Sequence, residues 1–275
     1  MSTIVITPES KNQTYWSDVY QFRQIIFILA WRDIKVRYKQ SIIGIFWTLI
    51  KPTITIAIFW IVSTILDIGN EGVPKVLVVA SAVVPWQYIS SSFSDVSNSL
   101  INNEQIIRKI YFPLVIIPIS SAIVSLFDFI ISIMILITIY LYLGFTPNIQ
   151  ILFLPLFLLL GWIANFGIGL IFASSAVRYR DFRVIVPFII QVATYVSPII
   201  FTSQLVYNNN SLNQWIKIVY ALNPFVFVID SFRWCLVGIE INYFYYFISL
   251  VSALSLFVFG VVYFKKLEKY FAEFI

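Results

Sequence analysis

The sequence predicts an all-α integral membrane protein. It is expected to have six transmembrane helices, an amphipathic interface helix ahead of them, short re-entrant helices on the outer face, and both termini in the cytoplasm. Three observations predict this. Hydrophobic residues make up 60% of the 275 residues against 11% charged, with a mean hydropathy of +0.90, more apolar surface than a soluble domain of this length can bury. Apolar runs of roughly 20 residues, enough to cross about 30 Å of hydrocarbon as a helix, recur along the chain. The basic residues sit in short segments between those runs, so the net charge of +5 reads as membrane topology and not as a nucleic-acid surface.

In chain order, residues 1–41 form a cytoplasmic N-terminal segment and residues 42–275 the six-span domain. Residues 1–20 lack a continuous apolar core followed by a small-residue cleavage site, so no removable leader is expected. The first span covers about 42–66, and the second, 73–93, is weaker and interrupted by Pro85. The third, about 112–143, is long enough to begin below the membrane, with Pro113 and Pro118 bending its start. The fourth covers about 150–176; the fifth, 184–201, is short and carries Pro187 and Pro198; the sixth runs over about 243–264. Residues 203–242 are apolar enough to tempt a seventh span. Asp230 and Arg233 would each cost about 2.5–3.5 kcal/mol near a helix centre, and Asn223-Pro224 would break the helix. With six spans, only Lys75, Lys217 and Arg233 of the 18 Lys and Arg fall outside, as the positive-inside rule asks. The segment 203–239 is therefore read as two short outer-face helices joined near Asn223-Pro224.

The segment LAWRDIKVRYKQSIIGIFWTLIKP, 29–52, sets a basic cluster against the first span. At 100° per residue, Phe27, Trp31, Ile34 and Tyr38 share one helical stripe, and Arg32, Lys35 and Lys39 share the next. Such a helix either anchors the span or lays its aromatic side in the headgroups and its cationic side over anionic lipid or a protein partner. SNSLINNEQIIRKIYFP, 97–113, carries the signals of a short helix before a proline stop, and VRYRDFR, 177–183, is a basic inside loop. Asp128 stands almost alone as an acid within a span; it faces a cavity or partner, or is a hydrogen-bonded structural acid. Gly169-x-x-x-Ala173 is a small-residue pair suited to close helix approach.

Several function classes are excluded. The chain has no histidine and one cysteine, Cys235, which rules out an internal disulfide and removes the commonest metal ligand and general base. It contains no GxxxxGK[ST] phosphate loop, so an ATP-driven motor of that type is another subunit. Without a zinc signature, a nucleophile elbow or an acid cluster, no catalytic residue, metal or cofactor is expected on this chain. The spans also lack the ladder of buried charges of many ion-coupled transporters. A permease driven by a partner remains.

Four blocks carry a resemblance: RDIKVRYKQSIIGIFWTLIKP, VPWQYISSSFSDVSNSLINNEQIIRKIYFPLVIIP, VRYRDFRVIVPFIIQVATYVSPIIF and ALNPFVFVIDSFRWCLVG. Together, over about residues 20–270, they resemble the transmembrane subunit of type-2 ABC exporters of polysaccharides. The resemblance implies a homodimer in a bacterial inner membrane, bound to two copies of a P-loop nucleotide-binding subunit that holds ATP and Mg. It implies a polysaccharide substrate on a polyprenyl-diphosphate lipid, O-antigen foremost. Capsule or teichoic-acid export, drug or lipid export, and a membrane-embedded glycolipid transferase are the alternatives. By the same resemblance, Trp31, Arg32, Lys35 and Lys39 on the interface helix meet the ATPase. So do Asn98, Leu100, Glu104, Arg108 and Lys109 in a coupling helix at 97–109. Arg32, Lys35, Arg37, Lys39 and Arg180 are placed near the lipid diphosphate, and a cationic site favours that anion. Trp47, Phe59, Trp60, Trp86 and Tyr195 are candidate channel rings, and Asn223, Pro224, Asp230, Arg233 and Trp234 belong to the outer gate.

Overall fold

The computed structural model describes residues 11–39, 44–68, 72–146 and 148–271. Among them every regular element is helical. Two helices, α1 (Lys11–Gln21) and α2 (Arg23–Lys39), precede the membrane bundle. The junction expected at residue 41 lies outside the described residues. Five helices are long and apolar enough to cross a membrane: α3 (Phe46–Ile65), α4 (Lys75–Asn102), α6 (Ile116–Leu143), α7 (Leu154–Arg178, preceded by a 3-10 turn) and α12 (Tyr243–Glu268). Between α4 and α6 lies the single turn α5 (Glu104–Ile107). Helix α8 (Phe182–Val196) has 15 residues, about 22 Å at 1.5 Å per residue and short of about 30 Å of hydrocarbon. Three shorter helices follow: α9 (Ser203–Tyr207), α10 (Gln214–Ala221) and α11 (Pro224–Val237), with an 82° bend between the last two.

Local chemistry accounts for the sharp end of that corner. Asn223 accepts a hydrogen bond from the Phe225 N–H and Pro224 occupies the first turn, so α11 starts where its free donors are satisfied. Gly238, at φ +77°, closes the helix in the left-handed region.

Helix α4 is the centre of the bundle and packs against α3, α6, α7, α8 and α11. Its apolar window is 78% buried, against 17–33% for the other four long helices, yet its hydropathy of 1.4 is the lowest of the five. The two facts belong together. A helix surrounded by protein can carry Ser81, Ser92, Ser97 and Ser99 at no cost in lipid contact, which is why this span reads weakly in the sequence. It also runs further than the sequence suggests. It passes through Pro85 and continues to Asn102, and its 28 residues reach about 42 Å. Residues 97–102 are therefore the last turns of α4 and not part of a separate coupling helix; burial of Ser97, Ser99 and Leu100 keeps them helical. Only α5 stands apart, after a break at Asn103.

The apolar core has two parts. One joins residues 78–89 of α4 to Phe129, most of α11 and Ala253. The other lies at the opposite end of the bundle and joins Ile26 and Leu29 of α2 to Val96, Leu100, Ile116, Phe166, Leu170 and Phe264. The second end carries Lys35, Lys39, Arg108, Lys109 and Arg180 and is the inner one by the charge rule. At the crossing of α7 and α12 the backbones touch: a Cβ on Gly167 would lie 2.2 Å from the Phe257 Cα, and one on Gly260 would lie 2.1 Å from the Gly167 carbonyl oxygen. Gly169, from the small-residue pair noted in the sequence, instead meets Val96 of α4.

Candidate functional site

The inner end gathers most of the charged groups singled out in the sequence. Helix α2 buries Ile26, Leu29 and Ala30 against the bundle. On a 3.6-residue period that stripe continues to Asp33 and Arg37, while Phe27 and Trp31, 66% and 57% exposed, point away. The aromatic stripe is thus split, with Phe27 and Trp31 outward and Tyr38 turned toward the bundle. Arg37, named with the diphosphate cations, lies on the inward stripe and aims its guanidinium at the bundle while its side chain stays 36% exposed.

Arg37 forks between two acids from different helices. Its Nη1 donates to Asp128 Oδ2 at 2.5 Å and its Nη2 to Asp95 Oδ2 at 2.8 Å. The Tyr38 hydroxyl donates to the other oxygen of Asp128 and sits 3.0 Å from Thr48 Oγ1. Having given its one proton to Asp128, it accepts from Thr48. The Ser125 hydroxyl donates to Asp95 at 2.8 Å. Burial on its own would favour the neutral guanidine, but Asp95 and Asp128 outweigh it and hold Arg37 charged, with its pKa raised. Asp128 therefore does not stand alone. Its partners lie 90 and 91 residues away, beyond anything periodicity can signal.

Beside this bridge lies a cavity of about 310 Å³, lined among others by Arg32, Asp33, Arg37, Asp95, Ser99 and Asn103. Arg32 is also engaged: it donates to Asp33 at 2.8 Å and to the Asn103 side chain at 2.5 Å. Asn103 in turn donates to the Ser99 carbonyl, which ties α2 to the end of α4 where that helix breaks. Of the four cations assigned to the diphosphate on α2, Lys35 and Lys39 are exposed, and Lys35 lies 5.4 Å from the centre of the Trp31 ring. Arg180, Arg108 and Lys109 are exposed at the same end, with Arg108 paired to Glu104 at 2.5 Å. Asn98 is half-buried and donates to the Ser94 carbonyl. Leu100 is fully buried inside the inner core and so presents no surface to a partner.

The candidate channel rings divide. Trp47, Trp60 and Tyr195 are 48%, 46% and 67% exposed on α3 and α8. Phe59 packs partly against the outer core. Trp86 is 3% exposed and stands edge-to-face on Phe225 at 5.7 Å; the central position of α4 makes it a core residue and not a surface ring.

At the outer end, Asn223 caps α11 and donates to the Ser197 hydroxyl at 3.2 Å, while Pro224 is buried. Arg233 is 1% exposed. It donates to the carbonyls of Ile199 and Phe201 at 2.8 Å each and to that of Val78 at 3.3 Å. Residues 199 and 201 lie past the end of α8, so one guanidinium satisfies carbonyls that no helix serves. Asp230, 8% exposed, has Ser203 as hydrogen-bond partner. Trp234 packs against Phe153 and Phe157, and the Gln150 amide, suitably oriented, donates to its carbonyl and accepts from its indole.

Five long apolar helices with exposed basic residues at one end define a multi-pass membrane protein. The chain matches the ABC-2 type transporter model over residues 24–237 and belongs to that family. It is 29% identical over 251 residues to a Klebsiella pneumoniae protein named O-antigen export system permease protein RfbA, covering 90% of this chain and 94% of that one. A Myxococcus xanthus protein of the same name is 21% identical over 217 residues, 78% of this chain and 81% of the relative.

Proposed function

We propose that this chain is the permease subunit of an ATP-driven exporter that moves O-antigen, carried on a polyprenyl diphosphate, across the bacterial cytoplasmic membrane. It works as a homodimer with two copies of a separate nucleotide-binding subunit, which supplies the ATP and Mg chemistry. The observation that carries this reading is the similarity to O-antigen export permeases over 90% of the chain, which spans both the inner and the outer ends. Two features of the fold support it. Helix α3 is only 17% buried within one copy, and with the exposed Trp47, Trp60 and Tyr195 it offers a second copy a long apolar and aromatic face. Lys35, Lys39, Arg108, Lys109 and Arg180 are exposed at the inner end, where an ATPase and an anionic headgroup would be met.

The test is genetic and chemical together. Cells lacking this chain should accumulate lipid-linked O-antigen on the inner leaflet and lose it from the surface, and the wild-type chain should restore both. Loss of capsule or teichoic acid instead would move the assignment to those glycans. Unchanged glycans with increased drug sensitivity would move it to drug export.

A further inference from the structure

We propose that the bridge from Arg37 to Asp95 and Asp128 is the joint through which the amphipathic helix α2 is held to the membrane bundle. Arg37 is then the positioning residue that makes α2, α4 and α6 move together. The proposal rests on the exporter reading only for its functional arm.

The first half of α2 is held by apolar contact, through Ile26, Leu29 and Ala30. Its second half has no buried apolar residue. What attaches it is chiefly polar: Arg32 to Asn103, Arg37 to Asp95 and Asp128, and Tyr38 to Asp128, with the Tyr38 ring also leaning on Phe127 of α6, centres 6.1 Å apart. Thr48, through Tyr38, brings in the start of α3. Three helices thus meet at one guanidinium, and α3 joins them through Tyr38. The meeting point lies toward the inner end and is partly open: Asp95 is 7 residues before the end of α4 at Asn102 and Asp128 is 12 residues after the start of α6 at Ile116, about 10 Å and about 18 Å along those helices. The bridge therefore sits on the inner halves of α4 and α6, beside the cavity lined by Arg32, Arg37 and Asn103.

The charge count gives the joint a signature. One Arg (+1) between two carboxylates (−1 each) leaves the cluster at −1. Arg37→Gln alone leaves two facing carboxylates at −2, and their repulsion pushes the helices apart. Arg37→Gln with Asp128→Asn leaves only Asp95 charged, restoring −1, but removes the fork. Arg37→Lys keeps the charge on a single-point donor that cannot grip two carboxylates in fixed geometry.

The experiment uses the full chain in nanodiscs, with the buried Cys235 changed to Ser and spin labels on Lys35→Cys of α2 and Leu141→Cys of α6, both exposed positions. A narrow label-to-label distance distribution is expected for the parent. The charge-balanced double variant should at least double its width, and Arg37→Lys should fall between. A double variant as narrow as the parent would overturn the joint. The functional arm reconstitutes the same variants with the ATPase and measures glycan moved per ATP hydrolysed; a fall of fivefold or more is expected for the double variant at normal assembly. An unchanged ratio despite a broadened distance would overturn the positioning role. If the double variant fails to accumulate, Arg37→Lys decides both arms: parent-like width and ratio overturn the proposal, and intermediate values support it. Absence of glycan movement in the parent would count against the exporter reading alone, because the distance arm does not depend on it.

Discussion

Arg233 shows how a single buried cation can organise an irregular stretch of membrane protein. Its three donors go to backbone carbonyls of residues 78, 199 and 201, so it stitches α11 to α4 and to the non-helical segment that follows α8. Hydrogen bonds to charged groups are worth about 1.5–3 kcal/mol each. We predict that Arg233→Ala destabilises the purified chain by about 3 kcal/mol or more, read as a lowered midpoint in thermal unfolding, and that Arg233→Lys recovers only part of the loss. A midpoint unchanged in Arg233→Ala would show that the carbonyls find other donors. Neither this role nor that of Arg37 is legible in the sequence. A charge in an apolar run signals that a partner is needed, but the partners lie 32 to 155 residues away and are backbone atoms in one case and acids on other helices in the other. Asp95 was unremarkable beside Asp128 until a shared arginine joined them.

Elements were more legible than their partners. The apolar runs mark five long helices, and Asn223-Pro224 and Gly238 mark the ends of α11, because caps and breakers act on neighbouring backbone and leave a local trace. Lateral packing leaves a weaker one. The low hydropathy of α4 is the mark of a helix shielded by its neighbours, and the continuation of α4 to Asn102 follows from burial that no local signal carries. The glycines at the α7–α12 crossing are a further case: the sequence pattern pointed to Gly169, while the backbone contact is made by Gly167 and Gly260. Adding one methyl there must separate two membrane helices. Gly260→Ala and Gly167→Ala are predicted to lower the amount of folded protein in the membrane severalfold, measured by detergent-resistant monodisperse yield, whereas Ser255→Ala, at an exposed position of α12, changes it far less. Equal yields for all three would contradict the close crossing.

At the scale of the whole molecule, the basic inner end divides into bound and available cations. Arg32 and Arg37 are committed to Asp33, Asn103, Asp95 and Asp128, while Lys35 and Lys39 are exposed on the same helix. Charge reversal at Lys35 and Lys39 should therefore weaken ATPase association or substrate-stimulated hydrolysis without destabilising the chain, whereas reversal at Arg32 should also loosen α2. Co-purification at two salt concentrations separates these effects, since exposed charge contacts are screened and the cavity-side pairs less so. Wild-type association and stimulation in the Lys35→Glu, Lys39→Glu variant would remove this face from the ATPase contact.

If this chain forms the path of an ATP-driven glycan exporter, transport can be observed in vesicles. Inverted membrane vesicles containing the chain and its nucleotide-binding subunit would be given polyprenyl-diphosphate-linked O-antigen on the outside, and glycan protected in the lumen would be measured. Accumulation is expected that requires ATP, the nucleotide-binding subunit and this chain together. Accumulation that proceeds without ATP, or none when all three are present, would contradict the exporter reading.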